Sequence, residues 1–234
     1  MKTTFNSPLK FMAMLMIALT TVFSFSACSD DEDAATPAAA GKLMIIHASP
    51  DAPAVDLLLD GTKLNSSAVN YTDNTAYISA AAGTRVLKVN VAGTSTTALQ
   101  ASLSVVSGKN YSVFAIDSVS NLSGLVVEDN LAAPAAGKAH VRFIHLSPDA
   151  PAVDVAVTGG GVVFGNQSFE DFTAFTPLDA NTYNLEVRLA GTSTVVLPLP
   201  GIVLTAGKIY TVYAKGFVGG TGAQELGAEI IVNN

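Results

Sequence analysis

The chain has no tryptophan, one cysteine and three histidines in 234 residues. A single thiol excludes a disulfide scaffold and a cysteine-rich zinc module, both of which need several. Lysine and arginine number 12 against 19 aspartate and glutamate, so the basic face that a nucleic acid or an anionic bilayer attracts is missing. Charged residues make up 13 % and hydrophobic residues 49 %, which excludes a chain kept unfolded by its charge. Beyond residue 41 no segment carries an apolar stripe of helical period. What remains is room for one large domain or two of about a hundred residues.

The first residues read as an export signal. Lys2 and Lys10 precede an uncharged run from Phe11 to Ala27. A positive start, an apolar stretch and small residues before a cut mark a secretory leader. Those seventeen residues, with Thr and Ser among them, sit at the short end for a bilayer-spanning helix, and no basic residue follows to stop transfer. Phe25-Ser26-Ala27-Cys28 resembles the lipobox of bacterial lipoproteins. That resemblance implies a diacylglyceryl thioether on Cys28 and cleavage just before it. Ser29-Asp30-Asp31-Glu32-Asp33 resembles the acidic tag that directs some lipoproteins to the outer face of the outer membrane. Residues 29 to 40 lack apolar periodicity and read as a tether.

A shift of 98 residues superimposes the two halves of the remainder. His47-Ala48-Ser49-Pro50-Asp51-Ala52-Pro53-Ala54-Val55-Asp56 falls on His145-Leu146-Ser147-Pro148-Asp149-Ala150-Pro151-Ala152-Val153-Asp154, with nine of ten positions identical. Ala92-Gly93-Thr94-Ser95-Thr96 likewise falls on Ala190-Gly191-Thr192-Ser193-Thr194. Asp73, Thr75 and Ala76 match Asp171, Thr173 and Ala174. The expected organisation is a signal peptide over 1–27, a lipidated Cys and linker over 28–40, a repeat over 41–131, a linker over 132–138 and a second repeat over 139–234, as beads on a string.

Inside each copy the apolar period is two. Leu87, Val89 and Val91 alternate with Lys88 and Asn90, and Leu185, Val187 and Leu189 with Glu186 and Arg188, the pattern of strands with one wet face. Leu99, Ala101, Leu103 and Val105 alternate beyond the Gly93 turn, predicting a hairpin. Further strand runs are Leu43–His47, Val55–Leu59, Thr75–Ser79, Tyr111–Asp117 and Leu125–Glu128. The fold class expected is all-β, two tandem immunoglobulin-like antiparallel β-sandwiches. Tyr71, Tyr77, Tyr111, Phe169, Phe175, Tyr210 and Tyr213 are read as sandwich-core aromatics rather than a ligand platform.

The doubled His-x-Ser-Pro-Asp-Ala-Pro-x-Val-Asp resembles the signature of the domain of unknown function 4397 family, secreted and cell-surface bacterial modules. The resemblance covers nearly all of residues 41 to 234. It implies a β-sandwich outside the cytoplasm and brings no activity or functional residue.

Three readings of the motif compete. Pro50 and Pro53, like Pro148 and Pro151, fix φ and withhold backbone donors, which predicts a rigid strand connection. Ser49 and Asp51, like Ser147 and Asp149, readily bond nearby backbone in turns. By parity His47 shares a face with Leu43 and Ile45, and His145 with Val141 and Phe143, so the imidazole reads as a buried lock. Catalysis needs a Ser activated by an oriented His beside an oxyanion hole, and here the Ser precedes a Pro with no strand-turn-helix elbow. Asp51 and Asp56, with loop carbonyls, offer oxygens to Ca²⁺, yet that ion takes about six to eight and no Asp-x-Asp-x-Asp-Gly loop is present. One His per copy is a poor zinc set. The structural turn is the favoured reading, with no catalytic residue and no cofactor.

The function expected is a lipid-anchored outer-membrane protein, facing outward and acting as a non-catalytic binding, adhesion or structural module, with a protein or glycan as the expected ligand where it binds one. Two alternatives stand beside it: an envelope enzyme or accessory subunit using the decapeptide loops, and a Ca²⁺-binding surface module.

Overall fold

The structure is a computed structural model and describes residues 39–234. The leader, Cys28 and the acidic run 29–33 lie outside the described residues. Among the described residues there is no α-helix, only short 3-10 turns at Val119–Asn121 and Gly222–Gln224. No helix among them is long and apolar enough to cross a membrane.

The first repeat runs β1 (Ala40–His47), β2 (Val55–Leu59), β3 (Thr62–Lys63), β4 (Ile78–Ala81), β5 (Gly83–Val91), β6 (Thr97–Val105), β7 (Asn110–Ile116) and β8 (Ser123–Asp129). The second runs β9 (Lys138–His145), β10 (Val153–Val157), β11 (Val162–Gln167), β12 (Thr176–Asp179), β13 (Asn181–Leu189), β14 (Val195–Leu204), β15 (Ile209–Lys215) and β16 (Gly227–Val232). Sheet orders are the same in both copies: β4-β1-β7-β8 over β3-β2-β5-β6, and β12-β9-β15-β16 over β11-β10-β13-β14. Each is a β-sandwich. The pairing is antiparallel except β1 with β7 and β9 with β15, which run parallel. Parallel neighbours need a long crossover, and each repeat supplies one by winding through its second sheet in between.

Alternation places the cores. Leu43, Ile45, Leu57, Leu87, Val89, Leu103, Tyr111 and Val113 fill the first sandwich. Val141, Phe143, Val153, Val155, Phe164, Leu185, Val187, Tyr210 and Val212 fill the second. Burying each such side chain contributes roughly 1.5–3 kcal/mol before the entropy of ordering it is counted.

The beads-on-a-string arrangement is corrected by the structure. Residues on the opposite faces of β1, β7, β9 and β15 are buried too, in a third cluster containing Met44, Ile46, Phe114, Ile116 and Val127 of the first repeat with Ile144, Tyr213 and Ile231 of the second. The sheet β4-β1-β7-β8 therefore packs face to face on β12-β9-β15-β16. Both sheets are buried on two sides, so β1 and β7 read as near-continuous apolar runs and not as alternating ones.

A polar network sits within that apolar contact. Arg142 on β9 and Asp129 at the end of β8 form an ion pair at 2.7 Å, with side chains 1 % and 0 % exposed. Arg142 also donates to Thr211 Oγ1 at 2.8 Å and to Ser112 Oγ at 3.0 Å, and its guanidinium lies 4.6 Å from the centre of the Phe175 ring. Ser112 and Tyr77 donate to Asp129 Oδ2 at 2.8 and 2.5 Å. Asn233 donates to Tyr77 Oη at 3.1 Å and accepts from Thr211 at 2.7 Å. Apart from the Phe175 contact, the links are charge-assisted or side-chain hydrogen bonds in a buried or part-buried setting, where such bonds are strong and their loss is costly.

Candidate functional site

The decapeptide joins β1 to β2 and β9 to β10, and its side chains make the same bonds in both copies. His47 Nε2 meets the Pro53 carbonyl at 3.0 Å, and His145 Nε2 meets that of Pro151 at 3.2 Å. A carbonyl only accepts, so Nε2 carries the proton in each ring. Both rings are buried, and their Nδ1 atoms have no hydrogen-bond partner. Burial pushes both imidazoles below the ordinary 6.5, against the pull of the proline carbonyls.

Ser49 Oγ donates to the Asp117 carbonyl at 2.6 Å, and Ser147 Oγ to that of Gly216 at 2.7 Å, just past β7 and β15. Asp51 Oδ1 accepts the Val119 N–H at 2.7 Å, and Asp149 Oδ1 that of Val218 at 2.9 Å. Pro50 and Pro148 hold the chain in the turn between these bonds. Asp56 Oδ2 accepts the Gly93 N–H at 3.0 Å, and Asp154 Oδ2 that of Gly191 at 2.9 Å. Gly93 and Gly191 both have φ of about +70°, a backbone that favours glycine, which accounts for the second repeated motif. The Lys63 ammonium, 2.8 Å from Asp56 Oδ1, and the Gly93 and Asn65 N–H groups hold the Asp56 carboxyl down at about 2.

The decapeptide is thus a clamp. One end grips the loop after β7 or β15 and the other grips the β5–β6 or β13–β14 hairpin. The matched residues between the motifs act the same way: Thr75 and Thr173 accept the N–H of Ile45 and Phe143, and Asp73 and Asp171 close the preceding turns. The serine and histidine of each motif are bonded to different backbone carbonyls and not to each other. Asp51 and Asp56 are directed to different elements, as are Asp149 and Asp154. Among the described residues no group of three or more His, Cys, Asp or Glu is arranged to hold a metal ion.

Several aromatics sit elsewhere than expected. Tyr111 and Tyr210 are in the sandwich cores. Tyr213, Tyr77 and Phe169 instead join the contact between the repeats, where Phe114 and Tyr213 meet edge to face at 6.1 Å. Tyr71 lies 5.5 Å beneath Lys215 of the other repeat, and burial raises its hydroxyl to about 12. The sequence reading overlooked Arg142 and Asp129 altogether. The register that superimposes the copies sets Arg142 over Met44 and Asp129 over Asn233. One charged residue in each copy, matched by an uncharged residue in the other, was the available signal.

Two hollows accompany the clamps. A wide, polar basin of about 540 Å³ lies along residues 64–78 of the first repeat. A narrower apolar cavity of about 350 Å³ lies at the decapeptide end of the second sandwich.

Residues 41–156 match a protein-family model described as domain of unknown function (DUF4397). The match opens in β1 and closes in β10, so it takes in both decapeptides and stops short of the full extent that the sequence resemblance had suggested. No curated protein matches the chain.

Proposed function

We propose, from the premise that the chain carries a domain of the DUF4397 family, that it is a lipid-anchored envelope protein whose paired sandwiches bind or space a partner outside the cell without catalysis. The observation that carries the non-catalytic part is the clamp. The His, Ser and Asp of each decapeptide are all engaged by backbone groups of their own sandwich. A hydrolase would need that serine bonded to that histidine and open to substrate. The anchoring part is supported by the leader and by Phe25-Ser26-Ala27-Cys28, and the outward orientation by Ser29-Asp30-Asp31-Glu32-Asp33. Several acyl chains hold a protein to a bilayer far more durably than one.

Two experiments test this reading. Replacing His47 and His145 with alanine lowers the melting temperature if the clamp is structural; an unchanged melt with a lost activity would overturn the reading. Protease treatment of intact cells removes the sandwiches if they face outward, and survival of the intact chain would contradict surface display. A protein or glycan array at micromolar concentration searches for the partner.

A further inference from the structure

The two repeats share strand order, clamps and hairpins, yet they differ at one end. The loop after β7 covers residues 117–122, while the one after β15 covers 216–226. The longer loop is tightly built. Phe217 N–H donates to the Gln224 carbonyl at 2.9 Å, and Gly220 N–H to the Phe217 carbonyl at 3.0 Å. A Cβ on Gly216 or Gly220 would collide with the backbone of Gln224 or Glu225, so glycine is required at both. Asp149 of the decapeptide pins the loop through the Val218 N–H.

This loop walls the cavity of about 350 Å³, which opens between the two sheets of the second sandwich. Val187 and Leu197 line it from one sheet, Ala214 from the other, and Val218 and Leu226 from the loop. In the first repeat the corresponding Val89, Leu99 and Ala115 line a hollow of only about 110 Å³. The larger cavity has no charged side chain in its lining, and the one imidazole there, His145, is bonded to Pro151. At its rim Val196 and Val218 are 39 % and 53 % exposed. An unfilled apolar cavity costs stability, and exposed valines at its mouth gain nothing for a loop whose only task is to connect strands. The volume is more than twice the ~150 Å³ of an apolar cavity that takes up benzene, and falls in the range of ligand pockets.

We infer that the second sandwich binds the aliphatic chain of an amphiphile in this cavity, with the ligand's polar head left in solvent at the Val196–Val218 rim. Apart from the His145 imidazole, whose Nδ1 has no hydrogen-bond partner, the lining is aliphatic and uncharged, so a hydrocarbon chain is the chemistry it accepts. The glycine-braced loop holds the cavity open before binding, which spares the ordering cost. This goes beyond the anchored-module reading and does not depend on it, since the cavity is made entirely by the second sandwich.

The test uses the full chain with Cys28→Ser, so that no attached lipid competes, and decanol as the probe. Calorimetric titration and methyl NMR show saturable binding of one decanol, with shifts concentrated at Val187, Leu197, Val218 and Leu226. Ala150→Phe, which projects a ring into the cavity from the decapeptide, weakens that affinity at least tenfold. If that variant fails to fold, Val218→Lys at the exposed rim gives the same loss. Absence of saturable shifts, equal shifts at Val89 and Leu99, or undiminished affinity in a folded Ala150→Phe protein would overturn the proposal.

Discussion

His47 and His145 are the residues on which acid sensitivity rests. In the unfolded chain an imidazole titrates near 6.5, and in both clamps burial holds it lower. Between the two values the unfolded chain binds more protons than the folded one. Stability is therefore complete above about pH 6.5 and falls as the pH drops below it, by up to about 1.4 kcal/mol per pH unit for each ring. Urea unfolding from pH 5 to 8 measures this slope, and the His47→Ala/His145→Ala protein loses most of it. Asp56, held near 2, contributes in the same direction but only at far lower pH. The residue identities of the clamp were legible because they occur twice. Their partners were not: the Asp117 carbonyl and the Val119 N–H are backbone groups 68 residues away from Ser49 and Asp51. Sequence pattern does not report main-chain partners at that distance.

Among elements, the clamp explains why two short motifs and not whole strands are repeated so closely. Any β-branched or aliphatic residue of suitable size maintains a core strand. A side chain that must satisfy one particular N–H or carbonyl has few substitutes. Asp154→Ala leaves the Gly191 and Asn166 N–H groups without their acceptor, and costs about 1–3 kcal/mol in denaturant unfolding. Because these carboxylates are engaged by N–H groups, a chelator leaves the melting temperature unchanged; a fall of several degrees would instead reveal a bound Ca²⁺. Strand positions were largely legible from the period of two and from Gly and Pro punctuation. The first edge strand was less so: the Thr75–Ser79 run yields β4 at Ile78–Ala81, because Thr75 is occupied in capping the Ile45 N–H and does not extend the ladder. The parallel pairing of β1 with β7 was not legible either, since it depends on two distant segments meeting.

For the whole molecule, the repeats are joined by a buried sheet-on-sheet contact with one ion pair inside it. Met44 and Asn233 occupy the positions of Arg142 and Asp129 in the opposite copies. A pairing of two first repeats would bury Asp129 without its cation, and a pairing of two second repeats would bury Arg142 without its anion. The network thus favours the first repeat against the second. Removing one charge, as in Arg142→Met, costs about 3–5 kcal/mol, whereas Arg142→Met with Asp129→Asn recovers most of that loss. A double-mutant cycle in guanidinium measures the coupling, and additive costs would contradict it. The contact also predicts a single unfolding transition for both sandwiches. The apolar runs of β1 and β7 were visible in the sequence, but period-two reasoning assigns each strand one buried face and has no means of identifying what covers the other. The central functional claim, an exported module tied by lipid at Cys28, is tested most directly by mass spectrometry of the protein taken from the membranes of the cells that make it. The account predicts a chain beginning at Cys28 with diacylglyceryl and acyl mass on that residue; an intact Met1 or an unmodified Cys28 thiol would contradict it.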